Sequence, residues 1–482
     1  MLSQDRICDY IDVISKSAIS VVVYSNKAAA SQIFELHNTR GVLLTEIEKV
    51  KALLMKYVYL HNGDADVTVI QKSFAKVFEL EEKAADVSFR GEMSLDDILA
   101  HHLRAVDDGG KQESYSQPQS VEGDNGCVAY VRKRLATFVD NKNEGVIYAK
   151  SLANELAKTM HIVCNIFVAQ DALDPLIGDV ILLDQRRSMI FLLRYFRALD
   201  FITEHPNHKL LKRWESFLFL WDCHDVFYNM KSGKKDSFSE IFDGIGKGHT
   251  QVSDLLAGYY SGKINFAYRD YSIRRSNGEG ENILITGLAE VFLDYIARNE
   301  DSLLHRAYNW GHWHSRYKYM LYKYEIEMTD EQTIPKATAR IALRDLFKNS
   351  NVTLDHIVPH ELEWKELSKN GAHDNNLEPD DEMQAEAIWK EICKSIDGIG
   401  NLVLLSHSDN ASLQNIAPSK RASEYRRFKL ESISYSEVAT WKCPSDWSDA
   451  DRDPWQVRIQ ERGARILTMV KNYVTDDETW QA

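Results

Sequence analysis

An adjacent acid and imidazole, Asp355 and His356, are the residues of this chain whose types best suit chemistry. They lie in a short β-prone run, Val352-Thr-Leu-Asp-His-Ile-Val-Pro359. An imidazole takes a proton from water, and a carboxylate holds a divalent cation. Adjacent residues on a strand point to opposite faces. Either Asp355 therefore faces a cation while His356 faces the water, or a twist at the strand end lets both converge.

Two carboxamides follow along the chain. Asn401 lies in a Gly-led apolar run, Ile399-Gly-Asn-Leu-Val-Leu-Leu405, and Asn410 lies in the polar turn that comes after it. Eight residues separate Asn401 from Asn410, a spacing that can return a carboxamide oxygen to the cation. Oxygen ligands of this kind suit Mg²⁺ or Mn²⁺ better than zinc. His407 is the alternative ligand in this turn, and the spacing favours Asn410.

Three elements must position these residues: a strand in the run 352–359, a second strand at 399–405 and a helix that the polar turn at 406–415 can open. Strand, strand and helix in this order are what a ββα-metal fold requires. Hydrolysis of a phosphodiester needs a base that activates water, a cation that neutralises charge, and a rigid support for the base. The pattern therefore favours metal-dependent phosphodiester hydrolysis.

The segments DHIVP, GNLVLL and N-x(4)-N-x(4)-K-x(4)-Y, in that order, resemble the C-terminal HNH nuclease domain of the GmrSD-type (type IV) restriction endonucleases. The resemblance implies that His356 is the general base and that Asp355 and Asn410 are metal ligands. It further implies that Asn401 braces the loop that carries the base. The expected cofactor is Mg²⁺ or Mn²⁺.

The trailing positions of this motif are Asn415, Lys420 and Tyr425. We infer a phosphate contact for Lys420 and a packing role for Tyr425. The late segment from Trp455 to Arg462 resembles the closing W-x(3)-I-x(2)-R helix of the same family, so the resemblance covers about residues 300 to 482. It implies a DNA endonuclease of a restriction or anti-phage defence system that acts on modified or foreign DNA.

A second resemblance lies near the N-terminus. Residues 30–45, continuing to Lys51, are similar to the later part of the nucleotide-hydrolysing domain that accompanies this nuclease, with His37 where that pattern has Leu. The DGQQR motif that handles the nucleotide has no counterpart in this chain. We therefore expect no nucleotide hydrolysis by this chain alone, so a partner subunit supplies that activity or it is lost.

The pattern of apolar residues is mainly helical. It predicts helical regions at 1–105 and 127–300 and a flexible loop at 106–126. The resemblance implies that 1–105 is a remnant of the nucleotide-hydrolysing domain and that 301–482 is a ββα-metal (HNH) nuclease domain. Thr45 and Glu48 form a capping-box pattern that predicts the start of a helix. The fold class expected is mainly α with this C-terminal nuclease domain.

Composition agrees with a globular, largely helical chain. Its 482 residues are 44% hydrophobic and 27% charged, with 9 Pro and 23 Gly. Six cysteines form no C-x-x-C pair, which argues against a zinc ribbon or a disulfide framework. The chain has no signal-peptide core and no apolar run long enough to span a membrane, so we expect a cytoplasmic protein.

The net charge of −14 opposes nonspecific attraction to DNA, so DNA binding requires a local basic surface or a partner. Arg421 with Arg426 and Arg427 is the basic cluster that we assign to DNA, because it follows the site. Trp214 and Trp221 are assigned to core packing rather than to stacking on a base. The alternative function is a noncatalytic helical DNA-sensing or scaffold subunit with a degenerate site, and homo-oligomerisation is left open.

Overall fold

The computed structural model describes residues 15, 44–84, 93–107, 126–198, 207–227, 237–247, 249–264, 271–274, 280–283, 287–309, 314–329, 335–347, 352–360, 379–413, 421, 424, 437, 441 and 454–480. Asn415, Lys420 and Tyr425 lie outside these residues, as do most of the N-terminal motif at 30–45 and most of the loop predicted at 106–126.

The protein is mainly helical, which confirms the fold class at that level. The described helices are α1 (Glu46–His61), α2 (Asp64–Ala84), α3 (Leu95–His102), α4 (Cys127–Ala136), α5 (Lys142–Leu173), α6 (Pro175–Leu183), α7 (Gln185–Ala198), α8 (His208–Phe227), α9 (Ser237–Lys247), α10 (His249–Ser261), α11 (Leu288–Arg306), α12 (His314–Glu327), α13 (Lys336–Phe347), α14 (Pro379–Cys393), α15 (His407–Leu413), α16 (Pro454–Thr475) and α17 (Asp477–Trp480). The described strands are β1 (Tyr271–Arg274), β2 (Gly280–Ile283), β3 (Val352–His356) and β4 (Leu402–Ser406). They form two antiparallel pairs, β1 with β2 and β3 with β4.

Two compact units make up the chain: residues 1–78 with 115–157, and residues 79–114 with 158–482. The boundary expected at about residue 300 lies within the second unit, and the domain assignment stays a prediction. Among the described residues, no helix combines the length and the apolar character that crossing a membrane requires.

The first unit contains α1, whose start follows from its sequence. Thr45 is the N-cap, its side chain accepts from the backbone N–H of Glu48, and the Glu48 carboxylate accepts from the backbone N–H of Thr45. This reciprocal pair confirms the predicted capping box. The buried face of α1 carries Val50, Leu54 and Val58 at helical spacing. The helix packs against α4 through such apolar side chains.

An aromatic cluster forms much of the core of the second unit. The ring of Trp214 stacks on that of Phe191 with centroids 4.3 Å apart and on that of Phe217 with centroids 5.8 Å apart. Trp214 and Trp221 are both buried, which confirms their assignment to core packing. Tyr260, another aromatic of this region, stacks on Trp480 instead.

A buried ion cluster joins α6, α8 and α12 within this unit. Lys323 Nζ lies 3.1 Å from the carboxylate of Asp179 and 2.9 Å from that of Glu215. The Asp179 carboxylate also accepts from the hydroxyl of Tyr322, at 2.6 Å. Because unpaired buried charges are costly, these contacts fix the packing of α12 against the earlier helices. Helix α12 in turn packs on the strand pair β3–β4.

The β3–β4 pair carries the residues that the sequence singled out. Asp355 lies opposite Val403 and His356 opposite Leu402 in the antiparallel register. Residues 402–405 of β4 are all buried, because helices α12 and α15 both contact the pair. Their apolar Leu-Val-Leu-Leu sequence is what burial on both faces requires. Helix α15 begins directly at the end of β4.

Candidate active site

Asp355 and His356 diverge at the end of β3, as strand alternation predicts. The Asp355 side chain is buried and pairs with Arg421, whereas the His356 ring is directed at Asp397. The sequence allowed two arrangements, and the described residues adopt the one in which Asp355 and His356 point to opposite faces of β3. The two side chains therefore act in separate surroundings.

The Asp355 carboxylate accepts from the Arg421 guanidinium, and both groups are buried. Burial raises the pKa of Asp355 to about 6, while the positive charge of Arg421 acts in the opposite direction. Burial outweighs the ion pair because the carboxylate loses most of its contact with water. At neutral pH Asp355 is nevertheless ionised, as a metal ligand or an ion-pair partner must be.

His356 Nε2 lies 3.3 Å from Oδ1 of Asp397. The edge of the imidazole meets the ring of Tyr308, with centroids 4.3 Å apart. Burial lowers the pKa of His356, and the hydrogen bond that the imidazole donates to Asp397 only partly offsets this effect. The imidazole is therefore neutral at physiological pH, which is the form that accepts a proton.

Asp397 is a site residue that the sequence analysis missed. Its Oδ1 also lies 2.8 Å from Nε2 of His360, and its backbone carbonyl accepts from the backbone N–H of Tyr308 at 2.8 Å. The one local signal for Asp397 was its place four residues before Asn401. The carboxylate holds two imidazoles and fixes the ring of His356.

Asn401 ties together the two loops beside the site. Its Oδ1 accepts from the backbone N–H of Val358 at 2.8 Å, and its Nδ2 donates to the carbonyls of Val358 at 2.9 Å and Ile396 at 2.7 Å. The side chain is completely buried. It joins the segment after His356 to the segment that carries Asp397. This arrangement is the one that a bracing role requires, and the effect on catalysis stays a prediction.

Helix α16 approaches the start of β4 closely enough to require glycine. A Cβ at Gly400 would lie 1.8 Å from the carbonyl oxygen of Ile459. Arg462, also on α16 and fully buried, donates from Nη1 to the carbonyls of Gly400 at 3.0 Å and Leu402 at 2.7 Å. The closing helix that the sequence identified by Trp455 and Arg462 thus holds the strand that follows Asn401.

Asn410 lies on α15, whose first turn is capped by Ser406 and Asp409. The Ser406 hydroxyl accepts from the backbone N–H of Asp409 at 3.1 Å and donates to its carboxylate at 2.6 Å. Asn410 Nδ2 donates to Oγ1 of Thr353 at 3.2 Å. Thr353 and Asp355 share one face of β3, so Asn410 lies over the face that carries the acid. His407, the alternative ligand, is exposed at the first residue of the helix.

The assignment of Arg421 to a DNA-contacting cluster is wrong, because its side chain is only 1% exposed. It neutralises Asp355 instead. Arg426, Arg427 and the predicted phosphate ligand Lys420 lie outside the described residues. The structure therefore brings His356, Asp397 and the Asn401 brace together, pairs Asp355 with Arg421, and places Asn410 against Thr353.

Residues 297–460 match the family model described as the C-terminal domain of the GmrSD restriction endonucleases. The match includes β3, β4, α15 and Asp397, and it supports the resemblance predicted for about residues 300 to 482 as far as residue 460. Searches of the curated proteins and of the solved structures gave no match. The region that carries the site is thus similar to the C-terminal domain of GmrSD restriction endonucleases.

Proposed function

We propose that the C-terminal region is an HNH-type, ββα-metal nuclease that hydrolyses phosphodiester bonds of DNA with Mg²⁺ or Mn²⁺. The observation that carries the proposal is the succession β3–β4–α15, which places His356 at the end of β3, Asn401 directly before β4 and Asn410 on α15. The match of residues 297–460 to a domain of restriction endonucleases supports the same reaction class.

In this proposal His356 is the general base. Its Nε2 is directed at the Asp397 carboxylate, so a neutral ring donates its proton there and leaves the lone pair of Nδ1 for a proton from water. Asp397 is then a positioning residue that fixes the tautomer and orientation of the ring. Asn401 keeps the two loops that carry the pair at a constant separation.

The carboxylate of Asp355 and the carboxamide oxygen of Asn410 are the residues that would hold the cation. Both are oxygen ligands of the kind that Mg²⁺ and Mn²⁺ prefer, and Asn410 contacts Thr353, which lies two residues before Asp355 on the same face of β3. The bound ion supplies charge neutralisation at the phosphate and the leaving oxygen. Asp355 is ionised at neutral pH despite its raised pKa, so its charge state fits this role.

A noncatalytic DNA-sensing subunit is the second candidate function. The observation that favours it is the buried pair of Arg421 with Asp355, because the guanidinium already occupies the carboxylate that a cation requires. In a nuclease, the Asp355 carboxylate must either bind the ion and Arg421 together or release Arg421 when the ion binds. A binding subunit keeps the pair intact.

The wider role that we propose is restriction, or defence against phage, by cutting foreign or modified DNA. The net charge of −14 makes attraction to DNA weak for the chain as a whole. A local basic surface or a partner subunit that carries the DGQQR nucleotide-hydrolysing domain would then bring DNA to the site. Lys420 is the residue that we assign to the phosphate.

The deciding experiment incubates the purified protein with modified and unmodified supercoiled plasmid. Each plasmid is tested with Mn²⁺, with Mg²⁺ and with a chelator. We expect nicked or linear product in the presence of either ion and none with the chelator. Binding to plasmid without cleavage under every condition, including after addition of a neighbouring gene product, would establish the noncatalytic function instead.

A further inference from the structure

We propose that His356, His360 and Asp397 form a second cation site, specific for Zn²⁺ and the later transition metals, whose occupation switches the nuclease off. The site is separate from the oxygen ligands Asp355 and Asn410. Metal binding at the three residues stands on its own, whereas the inhibition rests on the proposed function.

The three ligand atoms already converge. The Nε2 atoms of His356 and His360 lie 3.3 Å and 2.8 Å from the same oxygen of Asp397, and the ligand atoms of the trio all lie within 4.8 Å of one another. Zinc bound tetrahedrally at bond lengths of 2.0–2.2 Å separates its ligands by about 3.3 Å. The two distances from the imidazoles to Asp397 already lie within about half an ångström of this spacing, and the two imidazole nitrogens have to approach each other from at most 4.8 Å.

The donor set selects the ion. Two imidazole nitrogens and one carboxylate suit zinc and the later transition metals, whereas Mg²⁺ prefers oxygen ligands throughout. Asp355 and Asn410 offer only oxygen for this purpose. We therefore expect millimolar Mg²⁺ to bind at Asp355 and Asn410, and micromolar Zn²⁺ to bind at the two histidines and Asp397.

The surroundings of the cluster suit binding from solution. The side chains of His356 and Asp397 are 12% and 15% exposed, whereas that of His360 is 49% exposed. An ion therefore has an open approach on the His360 side, where water can complete its coordination. The backbone of Asp397 is tied to Tyr308, and Asn401 holds the Val358 segment between the two histidines. The segments that carry the three ligands are therefore already held in place before the ion binds, and binding costs little conformational entropy.

Inhibition follows from which nitrogen of the His356 imidazole carries the proton. A neutral ring has one lone pair and one N–H. When Nε2 of His356 donates to Asp397, the lone pair is on Nδ1 and can take a proton from water. When Nε2 binds zinc, the proton moves to Nδ1 by exchange with solvent, with no net release from the ring. The ring then has no free lone pair and cannot act as base.

Binding is tested with Co²⁺ as a spectroscopic substitute and with Zn²⁺ by titration calorimetry. Both use a Cys393→Ser background, since this exposed thiol lies close enough to Asp397 to feel its charge. We expect one strong site, weakened at least about tenfold by His360→Ala and by Asp397→Asn, as the loss of a ligand requires. His407→Ala, an exposed histidine on α15, is the matched control and should bind as the parent does. Equal affinity of His360→Ala and the parent would overturn the site.

The switch is tested by plasmid cleavage in Mg²⁺ with increasing Zn²⁺. Zinc should stop the parent and the His407→Ala variant, while cleavage by His360→Ala, compared with its own rate without zinc, should resist zinc. Equal inhibition of His360→Ala would contradict the switch. If the parent shows no cleavage at all, the proposed function fails, and the Co²⁺ and Zn²⁺ titrations still decide the site.

Discussion

Arg421 donates to the carboxylate of Asp355 inside the protein, 66 residues along the chain, and both side chains are buried. Replacement of Arg421 by Gln leaves a buried carboxylate without its counter-charge. We expect the free energy of unfolding to fall by about 3–5 kcal/mol, the usual effect of breaking a buried pair. Urea denaturation of the parent and the variant measures this difference.

Arg458→Gln is the matched control, because Arg458 pairs with Glu461 on the exposed side of α16 at 3.4 Å. Exposed pairs contribute about 0–1 kcal/mol, so this variant should unfold almost as the parent does. Similar small losses for Arg421→Gln and Arg458→Gln would show that the Asp355 pair is not a buried ion pair in solution.

Gly400→Ala tests the close contact between the start of β4 and α16. The added methyl would lie 1.8 Å from the carbonyl oxygen of Ile459, so backbone must move. Overpacking of this kind costs about 1–3 kcal/mol, and we expect a loss of thermal stability together with reduced cleavage. Ala464→Ser, on the exposed side of the same helix, adds one heavy atom without a clash. An unchanged melting temperature for Gly400→Ala would refute the contact.

His101 predicts a dependence of stability on pH. Burial lowers its pKa from 6.5 to about 4, although Asp97 acts in the opposite direction. The unfolded chain therefore binds a proton between these two values that the folded chain does not. The stabilisation is fully present above pH 6.5 and is lost as the pH falls toward 4, by up to about 3 kcal/mol.

Unfolding by urea at pH 4.5 and at pH 7.5 checks this sign. The His101→Leu variant removes the titrating group, so its stability should fall less between the two pH values than that of the parent. His161→Leu is the control, because His161 is exposed. A parent and a His101→Leu variant with the same loss on acidification would exclude His101 as the cause.

The local part of the site was predictable from the sequence. The β-prone run that ends at Pro359 became β3, the Gly-led run became β4, and the polar turn opened α15 at His407. These elements depend on neighbouring residues: Ser406 and Asp409 cap the helix, and the apolar residues of β4 reflect burial on both faces. Local chemistry of this kind can be read along the chain.

The long-range part was not predictable. Asp397 meets His356 across 41 residues, and Arg421 meets Asp355 across 66. Arg462 reaches the carbonyl of Leu402 across 60 residues. No periodicity encodes such pairs, because each depends on how helices and strands pack. For the same reason Arg421 looked like part of a basic surface, although the fold buries it.

Asn410→Ala tests the assignment of the metal ligand. Loss of its carboxamide oxygen should weaken Mn²⁺ binding and cleavage together, and excess Mn²⁺ should partly restore cleavage. Mn²⁺ affinity is measured by titration calorimetry, and cleavage by plasmid nicking over a range of Mn²⁺ concentrations. His407→Ala should retain both properties. A defect that excess Mn²⁺ repairs in His407→Ala, but not in Asn410→Ala, would transfer the ligand role to His407.

The role of His356 as general base is tested most directly by the rate of plasmid cleavage of His356→Ala in saturating Mn²⁺. Because the substitution removes the base and leaves Asp355 and Asn410 in place, Mn²⁺ should bind as in the parent while cleavage falls by about 10²- to 10⁴-fold. The folded state is checked by thermal unfolding of the same preparation. Cleavage by folded His356→Ala at the parent rate would contradict the proposed nuclease mechanism.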